Sequence, residues 1–193
     1  RYEPKSDRWC PAPDRAGWSR KPSLFSLRQR TCQQIAENEF DSLIAQEAFC
    51  HIPDKPRLVS ECVRVIKPGG CIAFTDILAG TGTPESMRDR LQREMAFTEL
   101  NTQDGYRTLL DSSGCIVNEI EDLSESWAGI LVKRLDMYRS LEDQTIASFG
   151  QAHFEKWDRA YSFFVSLYAS GELRGARFQA HKRGRLENEP HRC

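Results

Sequence analysis

The hydrophobic pattern between residues 40 and 80 changes from a strand to a helix and back to a strand. Residues 40–45 form a short apolar run that ends at polar Gln46, a pattern typical of a buried parallel strand. Apolar residues then return at helical spacing over 58–66, behind Asp54 as N-cap and Pro56 in the first turn. We expect residues 67–70 to end this helix and residues 71–77 to form the second strand. The order strand, helix, strand predicts a right-handed crossover in a parallel sheet.

The chain after residue 80 alternates amphipathic helices with further strands. We predict helices over 84–99, 102–111, 123–140 and 151–170, the last with an aromatic stripe and with Gly171 as its stop. Apolar runs over 115–120 and 176–180 predict two more strands. The fold class is therefore α/β, with one domain over residues 35–182.

Residues 1–34 differ from this domain. They contain six Arg, two Lys and four Pro with no sustained period of 2 or 3.6, so we predict an irregular, poorly packed segment. Residues 183–193 are polar and predict a terminal tail.

The charge and the cysteines narrow the class of protein. With 27 basic and 28 acidic residues, the net charge of −1 argues against nucleic acid or an anionic membrane as the main partner. The chain has seven cysteines without a Cys-x-x-Cys pair, and it has no 18-residue apolar run. Both features favour a soluble cytoplasmic protein. His153 and His181 have no partner at metal-ligand spacing, so no metal site is predicted.

The segment FDSLIAQEAFCHIPDK, followed by RVIKPGG and FTD, resembles class I S-adenosylmethionine-dependent methyltransferases. It is most similar to the sarcosine/dimethylglycine and phosphoethanolamine N-methyltransferases. The resemblance implies an incomplete Rossmann-like methyltransferase sheet, made of the fourth to seventh strands, with a helical lid. It also implies S-adenosylmethionine as cofactor and a small amine as substrate. Which amine, and which oligomeric state, stay open.

The Gly-rich cofactor turn of that family has no counterpart in this sequence, and Gly80-Thr81-Gly82 has Glu85 where a third glycine is needed. We expect the chain to be a fragment that is inactive alone, with a genuine N-terminal extension as the alternative. A non-catalytic remnant or partner subunit is the second functional hypothesis, and a generic α/β binding domain is the third.

Polar residues after the first two predicted strands are the candidate site. By position in the family motif, His51 and Glu47 are the candidate catalytic residues and Gln46 the cofactor contact. The alternative is that His51 only caps the turn and that Glu47 is a solvated charge.

Three further residues are candidate substrate contacts. Asp76 ends the second strand, and Tyr106 and Arg107 lie on a helix that the resemblance assigns to the lid. Arg107 suits a carboxylate or phosphate because its planar fork binds either one bidentately. All three are equally well explained as surface residues.

Overall fold

The computed structural model describes residues 35–80 and 85–184, so the predictions for residues 1–34 and 185–193 lie outside it. Within these ranges the elements are, in chain order, β1 (Phe40–Gln46), a 3-10 turn (Phe49–His51), α1 (Lys55–Val65), β2 (Ile66–Ala79), α2 (Glu85–Met95), α3 (Gln103–Ser112), β3 (Cys115–Asp122), α4 (Ser124–Ser140), α5 (Glu142–Phe149), α6 (Gln151–Ala169) and β4 (Leu173–Lys182). None of the helices in these two ranges combines the length and apolar character needed to cross a bilayer.

The four strands form one sheet in the order β1-β2-β4-β3. β1 is parallel to β2, and β4 runs antiparallel to both β2 and β3. This confirms the four predicted strands, the adjacency of the first two and the reversed direction of the last. The carboxyl ends of β1 and β2 therefore point in the same direction, and β2 continues to Ala79 past the last pair, Gln46–Thr75.

The start of β2 differs from the prediction. Ile66, expected in the helix, is the first residue of β2, and α1 ends at Val65. Ile66 is 1% exposed and packs in the core, while the pairing register jumps from Phe40–Ile66 to Ser42–Cys71. The intervening residues 67–70 bulge out of the ladder, with Gly69 at a φ of +78°. They therefore belong to an irregular strand and do not separate the helix from the strand.

One face of the sheet is covered by α1 and α3. Alternate strand residues such as Ile72, Phe74 and Phe178 are buried there together with Val59 of α1 and Leu110 of α3. The position of α3 differs from the lid position that the resemblance implied. Its apolar face, with Tyr106 and Leu110, is buried in the core and therefore lies on the sheet.

A second hydrophobic cluster joins the sheet to α2, α4 and α6. Ile77 of β2 and Leu173 of β4 pack there with Leu91, Leu131 and Phe164 of the three helices. α4 and α6 are linked further by stacked rings of Tyr138 and Phe154, whose centroids are 5.1 Å apart. The short helix α5 between them was not predicted. We call α2, α4 and α6 the lid helices below, after the helical lid that the resemblance implies; that they cover a substrate stays a prediction.

Candidate active site

The candidate site begins where β1 ends. Gln46 pairs with Thr75 of β2, and the next residue, Glu47, donates its backbone N–H to the Thr75 carbonyl oxygen at 2.9 Å. Glu47 has a φ of +47°, in the left-handed region that costs a non-glycine residue free energy. This turn ends the strand abruptly and leaves the side chains of Gln46 and Glu47 exposed at the sheet edge.

The 3-10 turn that follows is held in place by a hydrogen bond to β2. The backbone N–H of Cys50 donates to Asp76 Oδ1 at 2.9 Å, and the Cys50 thiol donates to the Glu47 carbonyl oxygen at 3.3 Å. Cys50 is fully buried, and burial raises the pKa of its thiol to about 12, so it is a protonated structural group and no nucleophile. The segment that carries Glu47 and His51 is thus anchored to the sheet.

His51 is exposed, and its ring nitrogen Nδ1 lies 2.9 Å from the carbonyl oxygen of Ala96. A carbonyl oxygen can only accept a hydrogen bond, so Nδ1 carries the proton. In the neutral imidazole, Nε2 then has the free lone pair. The contact selects the form of His51 in which Nε2 can accept a proton.

Asp76 lies beneath this edge, completely buried. Its second oxygen, Oδ2, accepts from the Tyr106 hydroxyl at 2.7 Å, so both carboxylate oxygens have donors. Burial raises the pKa of Asp76, and burial next to this carboxylate also raises the pKa of Tyr106. Lys55, itself 3% exposed, donates to the Ile52 carbonyl oxygen and lies close enough to Asp76 to favour its charged form.

The structure therefore places the six predicted residues in three separate locations. Gln46, Glu47 and His51 lie exposed within one short segment at the carboxyl end of β1, beside Thr75 of β2. Asp76 and Tyr106 bond to each other in the core, while Arg107 is exposed on α3. Contact between these last three residues and a substrate stays a prediction, and the burial of Asp76 and Tyr106 supports a structural role.

Two features of the site have no local sequence signal. The Ala96 carbonyl that accepts from His51 lies 45 residues away in the sequence, and only the folded structure brings the Lys55 ammonium close to Asp76.

A cavity of about 350 Å³ lies at the starts of α1 and α3, lined by Lys55, Glu99 and Asn101 among others, and none of the six predicted residues lines it. No group of three or more potential metal ligands occurs within residues 35–80 and 85–184.

Comparison with known proteins bears on the fold and on the family resemblance. Residues 12–74 match the family described as Methyltransferase domain. The match begins inside the segment that we set apart at residues 1–34, so that boundary stays a prediction.

Phosphoethanolamine N-methyltransferase 1 of Zea mays is 23% identical over 158 residues, which are 82% of this chain and 31% of that protein. Glycine/sarcosine/dimethylglycine N-methyltransferase of Actinopolyspora halophila is 28% identical over 117 residues, covering 61% of this chain and 21% of that protein.

The fold is shared with a solved structure of phosphoethanolamine N-methyltransferase 2 of Haemonchus contortus, in complex with phosphomonomethylethanolamine and S-adenosylhomocysteine. The TM-score is 0.71 at 22% identity, over 79% of this chain and 36% of that chain. These findings confirm the predicted fold class and the resemblance to class I methyltransferases. The chain spans about a third of the length of the plant relative.

Proposed function

We propose that this chain takes part in S-adenosylmethionine-dependent methyl transfer to a small amine. The proposal is carried by the exposed residues Glu47 and His51, which follow the carboxyl end of β1 beside its parallel neighbour β2, the side on which open α/β sheets place their ligands. The likeness to phosphoethanolamine and glycine-derived amine methyltransferases supports this class of substrate.

S-adenosylmethionine supplies, when bound, an electrophilic methyl group on a sulfonium. Among the described residues, Gln46 fits a contact to the cofactor, because its exposed carboxamide at the end of β1 can both donate and accept hydrogen bonds. The other contacts expected of the family, a Gly-rich turn and an acidic ribose partner, have no counterpart in the sequence.

The residues of this chain act on the acceptor. An amine in neutral water carries a proton that must leave before its lone pair can attack. Glu47 presents an exposed carboxylate that accepts hydrogen bonds from an ammonium group and orients it. His51 presents the unprotonated Nε2 that takes the proton, because Ala96 holds the proton of the ring on Nδ1.

The second hypothesis is a non-catalytic methyltransferase-like remnant or partner subunit. The two functions differ in whether the edge at Glu47 binds an amine. We therefore titrate the purified 193-residue chain with dimethylglycine and with phosphoethanolamine by calorimetry. As a probe of the N–H contact, each titration is repeated with the trimethylammonium counterpart, which has no proton to donate.

We expect saturable binding of the protonated amines and weaker binding of their trimethylammonium counterparts. Glu47→Gln should weaken amine binding about 10-fold or more, since a hydrogen bond to a charged group contributes about 1.5–3 kcal/mol. Glu37→Gln removes the same charge from an exposed position before the other end of β1 and serves as the control. Amine binding that is absent, or equal in Glu47→Gln and in the control, would reject the catalytic proposal.

A further inference from the structure

We propose that Phe97 is a positioning residue for His51 and connects the histidine to the lid helix α6. The proposal rests on the proposed function, in which His51 accepts the proton of the amine. It assigns a task to the lid helices, namely to keep the imidazole in its productive orientation.

Phe97 lies between the histidine and the lid. Its side chain is 5% exposed, and its ring centroid is 5.4 Å from that of His51 and 5.8 Å from that of Phe164 on α6. Both separations fall in the range at which aromatic rings attract one another. A single buried ring thus contacts an exposed site histidine on one side and the lid core on the other.

The backbone around Phe97 is fixed to the same segment. Ala96 has a φ of +57°, so the chain turns sharply after α2 and its carbonyl oxygen points to His51 Nδ1. The next residue but one, Thr98, donates its backbone N–H to the Cys50 carbonyl oxygen at 3.1 Å. Residues 96–98 therefore hold His51 in three ways: Ala96 accepts its hydrogen bond, Phe97 contacts its ring, and Thr98 bonds to the preceding residue, Cys50.

A strained backbone conformation persists only where surrounding contacts determine it. The ring of Phe97, directly after Ala96, is buried between His51 and Phe164 and so fixes the turn from the side-chain side. Its loss frees the imidazole to rotate away from the Ala96 oxygen, after which Nδ1 no longer needs to carry the proton. Phe97 thereby acts on the proton acceptor through geometry, without touching a substrate.

The test measures the tautomer of His51 directly, by long-range proton–nitrogen NMR of the full chain without cofactor or amine. His51→Gln identifies the signal among the four histidines of the chain. We expect the wild-type signal to show a protonated Nδ1 and an unprotonated Nε2. We expect Phe97→Leu to lower the ratio of the Nδ1–H form to the Nε2–H form by about 2- to 10-fold. This population change corresponds to losing the free energy of one aromatic pair.

Phe154→Leu is the matched control, because Phe154 is 7% exposed and its ring stacks on Tyr138 of α4, whereas the Phe97 ring contacts His51. Phe97→Met keeps an apolar side chain without the ring and replaces the leucine variant if that variant fails to fold. An unchanged tautomer ratio in a folded Phe97 variant, or an equal change in Phe154→Leu, overturns the proposal. The proposed function has a separate test in amine binding, so the two can fail independently.

Discussion

Replacing Tyr106 by Phe removes one hydroxyl from the core and leaves the ring in place. The hydroxyl donates to Asp76 Oδ2 at 2.7 Å, and both residues are completely buried. A buried hydrogen bond to a charged group contributes about 1.5–3 kcal/mol, and no solvent can replace this donor. We therefore expect Tyr106→Phe to lower the free energy of unfolding by about 2 kcal/mol, measured by urea denaturation followed by circular dichroism.

The penalty should grow with pH. Burial raises the pKa of Asp76, and the Tyr106 hydrogen bond opposes that rise. A carboxyl with a raised folded pKa binds its proton more tightly when folded, so its contribution to stability falls as pH rises from 3.8 through the folded pKa. In Tyr106→Phe the folded pKa rises further. The difference in unfolding free energy from wild type should therefore be smaller at pH 4 than at pH 7.

Tyr168→Phe is the control for the loss of a buried hydroxyl. Tyr168 is 5% exposed, but its hydroxyl reaches the neutral carbonyl oxygen of Arg174 at 3.3 Å. We expect that variant to lose only about 0.5–1.5 kcal/mol, with no added pH dependence. Equal losses in the two variants, or a Tyr106→Phe penalty that does not change with pH, would refute the charged Asp76–Tyr106 bond.

Three further predictions concern the helix cap, the packing at β4 and the cofactor. Asp54→Ala should cost about 1 kcal/mol in urea denaturation, because Asp54 accepts the Arg57 backbone N–H at 3.0 Å. Gly175→Ala should cost about 1–3 kcal/mol in the same assay, since the added Cβ would overlap the Trp127 ring. Calorimetry with S-adenosylhomocysteine should show no saturable micromolar binding to this chain; such binding would mean that residues 1–34 supply a cofactor site.

Much of the fold follows from local patterns in the sequence. The Asp54 cap and the Gly171 stop, with a φ of +78°, lie where residue type alone places them. The bulge at residues 67–70 was missed because the Lys-Pro-Gly-Gly signal marks a break in regular structure without telling a loop from an irregular strand. The turn at Ala96 was missed because alanine gives no signal for a positive φ.

The candidate site was predictable only in part. Gln46, Glu47 and His51 share one segment, so a strand end and the family motif suffice to place them together. Whether the side chains of Asp76 and Tyr106 are buried depends on which face of the sheet α3 covers. The amphipathic pattern of α3 does not specify that face. Ala96 lies 45 residues from His51 in the sequence, so its hydrogen bond to His51 and the ring contact of Phe97 form only when the chain is folded.

The site of amine binding tests the central claim most directly. Backbone amide NMR of the 193-residue chain, titrated with dimethylglycine or phosphoethanolamine, locates the contact residue by residue. We predict shift changes concentrated at residues 46–51 and 96–98, which lose their amplitude in Glu47→Gln. Shift changes confined to the cavity lined by Lys55 and Glu99, or no change at either place, would contradict the assignment of Glu47 and His51 to the acceptor site.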